Sequence, residues 1–168
     1  GLVNLVGVTV FGVSMILLYL FSCLYHALPP SKGKQVFQVL DHCSIFLLIM
    51  GTYAPVCLVT VGGPYGWTLF GINLVGIVLN AVDLARWKKL SLVLYLIMGW
   101  MAVLAMPVML HNLSRIGFLL ILLGGLAYTI GVVFYRQKDK PYRHGIWHFF
   151  VLAGTVFHFF AVYTNCCF

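Results

Sequence analysis

Nothing constrains this chain more than the scarcity of charge along its long apolar runs. Six such runs stand out, roughly Leu2 to Leu28, Val36 to Val61, Gly66 to Leu84, Leu90 to Leu110, Ile116 to Tyr135 and His144 to Tyr163. About 20 helical residues rising 1.5 Å each cross the roughly 30 Å hydrocarbon layer of a bilayer. Inside that layer a chain must satisfy its backbone N–H and C=O groups internally, which leaves helices or closed barrels. The reading is therefore an all-α, polytopic transmembrane helix bundle, a single transmembrane domain over residues 1–168. Composition agrees: 62% of residues are hydrophobic and 8% charged, whereas a soluble domain carries about a quarter charged residues.

The breaks between runs carry turn residues: Pro29-Pro30-Ser31, Gly62-Gly63-Pro64, Arg86 to Lys89, His111 to Arg115, and Arg136 to Arg143 with Pro141. Short breaks imply antiparallel neighbours. The connections at Lys32/Lys34, Arg86/Lys88/Lys89 and Arg136/Lys138/Lys140/Arg143 hold nine of the ten basic residues and share one face, leaving only Arg115 opposite. Lys and Arg in short loops stay cytoplasmic, so those ends are expected inside and both ends of the chain outside. The net charge of +7 is then a topology signal and a contact for anionic lipid rather than a nucleic-acid footprint. The first residues carry no cleavable signal pattern. Cys23, Cys43, Cys57, Cys166 and Cys167 lack paired C-x-x-C spacing, so they read as small core hydrophobes.

An ionisable residue inside a transmembrane helix is costly and a functional candidate by default. The first run ends "SCLYHALPP", with Ser22 and His26 four apart on one face; the second carries Asp41 and His42 in its first turns. The last begins "RHGIWHFF", with His144 and His148 again four apart. These groups are expected at similar depth near the cytoplasmic boundary. Two histidines at i and i+4 aim at one point, and a third from a neighbouring helix completes the three-imidazole set of a catalytic zinc site with one open position. In such a site zinc can acidify a bound water; Asp41 can orient it, accept its proton or become a ligand, and Ser22 can support the site or bind substrate. Attack on an amide or ester carbonyl would be natural chemistry. A His-x-x-x-His pair at a helix end is equally what two interfacial, hydrogen-bonded side chains look like.

Other polar positions read structurally. His158 lies ten residues beyond His148, too far to share an ion, and is expected to bond between helices. His111 reads as solvated, and His42 points about 100° from Asp41, which is preferred for the site. Asp83 and Arg86 are expected to pair locally, and Asn73, Gly76 and Asn80 to glue helices. Gly117, Gly124 and Gly131, seven apart, read as close packing, while Pro55 and Pro107 should kink their helices. Tyr65, Trp67, Trp87, Tyr135 and Tyr142 fit interfacial aromatic belts.

Through these residues the chain resembles the hemolysin III branch of the progestin and adipoQ receptor family, which includes the adiponectin receptors. The family's S-x-x-x-H motif with a following Asp matches Ser22, His26 and Asp41, and its H-x-x-x-H motif matches His144 and His148. The resemblance covers essentially the whole chain. It implies zinc held by His26, His144 and His148, Asp41 on the zinc-bound water, and lipid amide hydrolysis of the ceramidase type. It also implies seven helices with an inside amino terminus, so the six runs here read as a fragment lacking the first helix.

Three functions follow as expectations. The first is a zinc-dependent hydrolase of a lipid amide or ester in the cell membrane, its metal site near the cytoplasmic side and membrane lipids its partners. The second is a pore-forming cytolysin, against which stands the lack of a polar stripe through the full membrane depth. The third is a receptor or regulator in which zinc is structural.

Overall fold

The computed structural model describes residues 2–56, 63–104, 106–137 and 140–166. Among them every element is helical: α1 (Leu2–Ala27), α2 (Lys32–Val56), α3 (Gly63–Trp100), a short 3₁₀ turn (Met101–Val103), α4 (Met106–Asn112), α5 (Arg115–Tyr135) and α6 (Arg143–Cys166). They form two compact units, Gly1–Ala105 and Met106–Phe168.

Polarity is arranged for a lipid surround. Leu74, Val75, Val78 and Val82 form an exposed ridge on α3, and Leu119, Leu123, Leu126, Ile130 and Val133 another on α5. Ser14, Ser44, Asn73, Asn80, Ser91 and Thr155 are buried instead. Polar groups inside and apolar ridges outside suit helices whose solvent is hydrocarbon. Four helices among the described residues are long and apolar enough to cross a membrane: Asn4–Ala27, Lys32–Pro55, Arg115–Tyr135 and Arg143–Asn165.

The third and fourth expected runs take a different form. Instead of two helices joined by a loop at Arg86–Lys89, α3 is continuous except at Asp83, whose φ of −154° and ψ of 88° are extended. The expected Asp83–Arg86 pairing is made by the backbone: the Arg86 amide donates to Asp83 Oδ1 at 3.0 Å. That is how an N-cap satisfies an otherwise orphaned amide at a helix start, so the break needs one residue rather than a loop. The Arg86 guanidinium lies 5.1 Å over the Trp87 ring. The second limb of α3 stops at Trp100 rather than Leu110, and α4 restarts at Met106 with Pro107 in its first turn. There the missing N–H leaves no bond unmade, so Pro107 opens a helix instead of kinking one. The expected end of the second run, at Val61, lies outside the described residues, as do Lys138 and the side chains of Tyr65 and Trp67.

In the first unit the α1–α2 turn is closed from both sides. Ser31 caps α2 by accepting from the Lys34 amide at 3.1 Å, while Lys34 Nζ donates to the Leu28 carbonyl at 2.7 Å and sits 5.3 Å over the Tyr25 ring. Phe21 meets Phe37, and deeper in the hairpin Gly7 packs on Pro55 and Gly51 on Ser14. Gly76 admits the Phe46 ring between α2 and α3. A buried hydrogen-bond chain then ties α2 to both limbs of α3. Ser91 Oγ donates to Asn80 Oδ1 at 2.7 Å, Asn80 Nδ2 to the Tyr95 hydroxyl at 3.3 Å, and Tyr95 to the His42 carbonyl at 2.8 Å. The helix-gluing role expected of Asn80 and Gly76 takes this shape.

In the second unit α5 and α6 are antiparallel. Gly117 faces Asn165, Gly124 faces His158, Gly131 faces Trp147 and Phe150, and Gly154 faces Tyr128, so the seven-residue glycine repeat is the seam. Tyr128 and Thr155 hydroxyls bond at 2.9 Å, and His158 Nε2 donates to the Ile121 carbonyl at 3.2 Å, the interhelical bond expected of it. Ser114 caps α5 by accepting from Gly117, and its own amide donates to Asn165 Oδ1 at 2.8 Å. Tyr142, just before α6, has a φ of 62°. That left-handed residue turns the chain into α6 at a cost of about 1–2 kcal/mol.

Candidate metal centre

The first turns of α6 are held on α5 by aromatic pairs. Trp147 meets Tyr135 with centroids 5.1 Å apart, Phe150 stacks on Phe134 at 5.3 Å, and the Arg143 guanidinium lies 5.2 Å from the Phe134 ring. With Trp147, Phe150, Gly154 and His158 turned to α5, the 100° step per residue places His144 and His148 on the neighbouring flank of the hairpin. Both are half-buried. Their Nε2 atoms lie 3.2 Å apart, with the rings at 87°. Two imidazoles so placed present ring nitrogens to one small volume.

The remaining candidates lie in the other unit. Ser22 and His26 stand on α1, Ser22 half-buried and His26 exposed in the last turn. The α2-facing positions of α1 are Gly7, Phe11, Ser14 and Tyr25, so Ser22 and His26 occupy one flank of that face. Asp41 on α2 lies between the positions turned to α1 (Phe37, Gly51, Pro55) and those turned to α3 (Cys43, Phe46, Tyr53). Because α1 and α2 are antiparallel, the flank bearing Asp41 and the flank bearing Ser22 and His26 are on the same side. The pairing register sets Asp41 near the level of Leu18 to Ser22, with His26 roughly one to two turns nearer the connection. Ser44 Oγ donates to the Asp41 carbonyl at 2.7 Å.

His42 also belongs to this flank, which the sequence reading did not anticipate. Its Nδ1 lies 2.9 Å from the Gln38 carbonyl, one turn back, and 3.9 Å from Asp41 Oδ2. The adjacency of Asp41 and His42 was the available signal; the 100° between their Cα–Cβ directions concealed that the imidazole folds back along its own helix. His111 is exposed at the end of α4, as its reading as a solvated group anticipated.

An all-helical chain with apolar outer ridges, buried polar networks and helices long enough to span a bilayer is a membrane protein. It belongs to the haemolysin-III-related family, whose model matches residues 2–159. It is 44% identical over 161 residues to Hemolysin-3 of Bacillus cereus, covering 94% of this chain and 74% of that protein. It is 41% identical over 167 residues to a Hemolysin-3 homolog of Bacillus subtilis, covering 97% and 78%. A human monocyte to macrophage differentiation factor is 26% identical over 164 residues, covering 92% of this chain and 68% of that protein. No solved structure matches the chain.

Proposed function

We propose that the protein is a zinc-dependent hydrolase of a lipid amide or ester, with His26, His144 and His148 as the metal ligands and Asp41 as the base. The observation that carries this reading is the His144–His148 pair, two half-buried imidazoles with Nε2 atoms 3.2 Å apart. The donor chemistry fits: three imidazoles are a ligand set that zinc accepts while keeping a position open. When bound there, zinc supplies Lewis acidity that brings the proton of a water within reach of a carboxylate base near neutral pH. Asp41 takes that proton and returns it to the leaving amine or alcohol. Ser22, level with Asp41 on the same flank of the first hairpin, donates a hydrogen bond that orients the scissile carbonyl. The apolar outer ridges accommodate acyl chains beside the cut. The basic residues around the α1–α2 turn, the α3 kink and the start of α6 favour a cytoplasmic position for this end of each hairpin in the cell membrane.

The experiment pairs metal analysis with turnover of N-acyl and ester lipids by the reconstituted protein. Asp41→Asn should keep its zinc and lose about 10²–10⁴-fold in turnover; undiminished turnover would remove Asp41 as the base. Zinc without turnover in the unaltered protein would leave the metal a structural role.

The name Hemolysin-3 carried by the bacterial relatives favours a second reading, a membrane-permeabilising protein. Dye and ion release from vesicles holding the unaltered protein and Asp41→Asn separates the two. Release that is the same for both, without lipid turnover, favours lysis.

A further inference from the structure

Asp41 and His42 stand on adjacent positions of α2, both half-buried, with 16% and 13% of their side chains exposed. Adjacent helical residues ordinarily diverge by about 100°. Here the imidazole leans back toward the preceding turn, so that Nδ1 reaches the Gln38 carbonyl at 2.9 Å and comes within 3.9 Å of Asp41 Oδ2. A carbonyl can only accept, so the Nδ1 bonded to Gln38 carries the proton. With that proton directed at Gln38, the Nδ1 edge of the ring rests 3.9 Å from Asp41 Oδ2, a packing and electrostatic contact rather than a hydrogen bond.

The backbone beneath this pair is held from two sides. The His42 carbonyl receives the Tyr95 hydroxyl at 2.8 Å, and the Asp41 carbonyl receives Ser44 Oγ at 2.7 Å. Tyr95 is itself held by Asn80, which takes Ser91 Oγ at 2.7 Å, and Asn80 and Ser91 are essentially excluded from solvent. The chain from buried Ser91 and Asn80 through half-buried Tyr95 thus ends on the one turn of α2 that carries its carboxylate. The helices packed against α2 present other ionisable groups near this level, Tyr19, Tyr25 and His26 on α1 and Tyr95 on α3. Tyr95 is joined to the His42 backbone, and the His42 ring is set against Asp41 Oδ2.

We infer that His42 is a positioning residue for Asp41, its imidazole fixing the direction in which the carboxylate is presented on its flank of the α1–α2 hairpin. The inference rests on Asp41 being the base proposed above, but the contact between the two side chains can be tested without it. The ring, anchored on Gln38 through Nδ1–H, is set against Oδ2 of the carboxylate. A side chain that could not donate to Gln38 would no longer be held against the carboxylate, which could then turn.

The test uses the full chain in lipid nanodiscs with ¹⁵N-labelled histidine. His42→Asn identifies the His42 ring signals by their loss. In Asp41→Asn those signals should shift, while the signals of the exposed His111 remain in place; superimposable His42 signals in the two proteins would overturn the pairing. Retained zinc and an unchanged helical spectrum show that Asp41→Asn is folded. Should it not fold, Asp41→Glu serves, since moving the carboxylate by one methylene must also displace the His42 signals.

Turnover supplies the second reading. His42→Leu should lower kcat about tenfold with KM little changed. His42→Asn, whose amide nitrogen replaces Nδ1 as a donor toward Gln38, should recover most of the loss. Equal losses in the Leu and Asn variants would overturn the positioning role. Absence of turnover in the unaltered protein would sink the hydrolase reading while the spectral comparison still decides whether His42 and Asp41 are paired.

Discussion

His148 Nε2 lies 3.2 Å from His144 Nε2, with the two rings nearly perpendicular at 87°. Two neutral imidazoles at this separation either share one proton or direct both lone pairs at a cation. If the pair holds zinc, His148→Ala and His144→Ala should each drop bound zinc to background in the purified protein. Even loss of a group that merely orients a ligand typically costs about 10–100-fold in metal affinity. Elemental analysis after dialysis against a weak chelator checks this; zinc equal to that of the unaltered protein would exclude the pair as ligands.

The α5–α6 seam makes a steric prediction. A Cβ at Gly124 meets the His158 ring, whereas a Cβ at Gly12 on α1 meets nothing within 4 Å. Gly124→Ala should cost about 1–3 kcal/mol through overpacking. Gly12→Ala should be neutral or stabilising by up to about 1 kcal/mol, because alanine restricts the unfolded chain. Thermal unfolding of the two variants in the same detergent gives the comparison.

Tyr95 joins α2 to both limbs of α3 through its hydroxyl, which donates to the His42 carbonyl and accepts from Asn80. Tyr95→Phe keeps the ring packed on Phe46, whose centroid is 4.5 Å away, and removes those bonds. The expected loss is about 1 kcal/mol, the range measured for hydrogen bonds between membrane helices. Asn80→Leu should cost no more, because Ser91 Oγ keeps the Trp87 carbonyl at 3.0 Å and Tyr95 keeps the His42 carbonyl, so neither hydroxyl is stranded. Chemical unfolding of the two variants ranks them.

Asp83 is exposed and caps the second limb of α3 through the Arg86 amide. Asp83→Ala should destabilise by about 1 kcal/mol, and Asp83→Ser should restore most of it, since a hydroxyl also accepts from that amide. A salt bridge from Asp83 to the Arg86 side chain would give the opposite pattern, with Asp83→Ser as damaging as Asp83→Ala. Unfolding midpoints of both variants distinguish the two.

The helical class, the borders of α1, α5 and α6, and the candidate residues were legible from local pattern. A run such as Ile116 to Tyr135 has too little polarity to be anything but a helix surrounded by lipid or protein. A His-x-x-x-His spacing puts two rings on one face whatever else the chain does. The α3 kink is hidden in the sequence, because Arg86 to Lys89 look like solvent-exposed turn residues. Whether these three basic residues make a loop or the exposed surface of a continuing helix depends on whether a residue just before them can cap, and that is a matter of Asp83 backbone geometry. The place of His42 is hidden for a similar reason, since the direction of a Cα–Cβ bond does not reveal where a ring with two rotatable bonds comes to rest.

By itself, then, the sequence determined what the helices are made of, which way their apolar surfaces are graded, and which side chains are costly enough to need a purpose. Those are sums over neighbours along the chain, and hydrophobic transfer and helical periodicity act on such neighbours directly. Only the tertiary structure decided that Gly124 is room for His158, that Tyr95 ends on the backbone of His42, and that Ser22 and Asp41 share a flank. Each joins residues from different helices, and its energy exists only after the cost of bringing those helices together has been met by packing elsewhere.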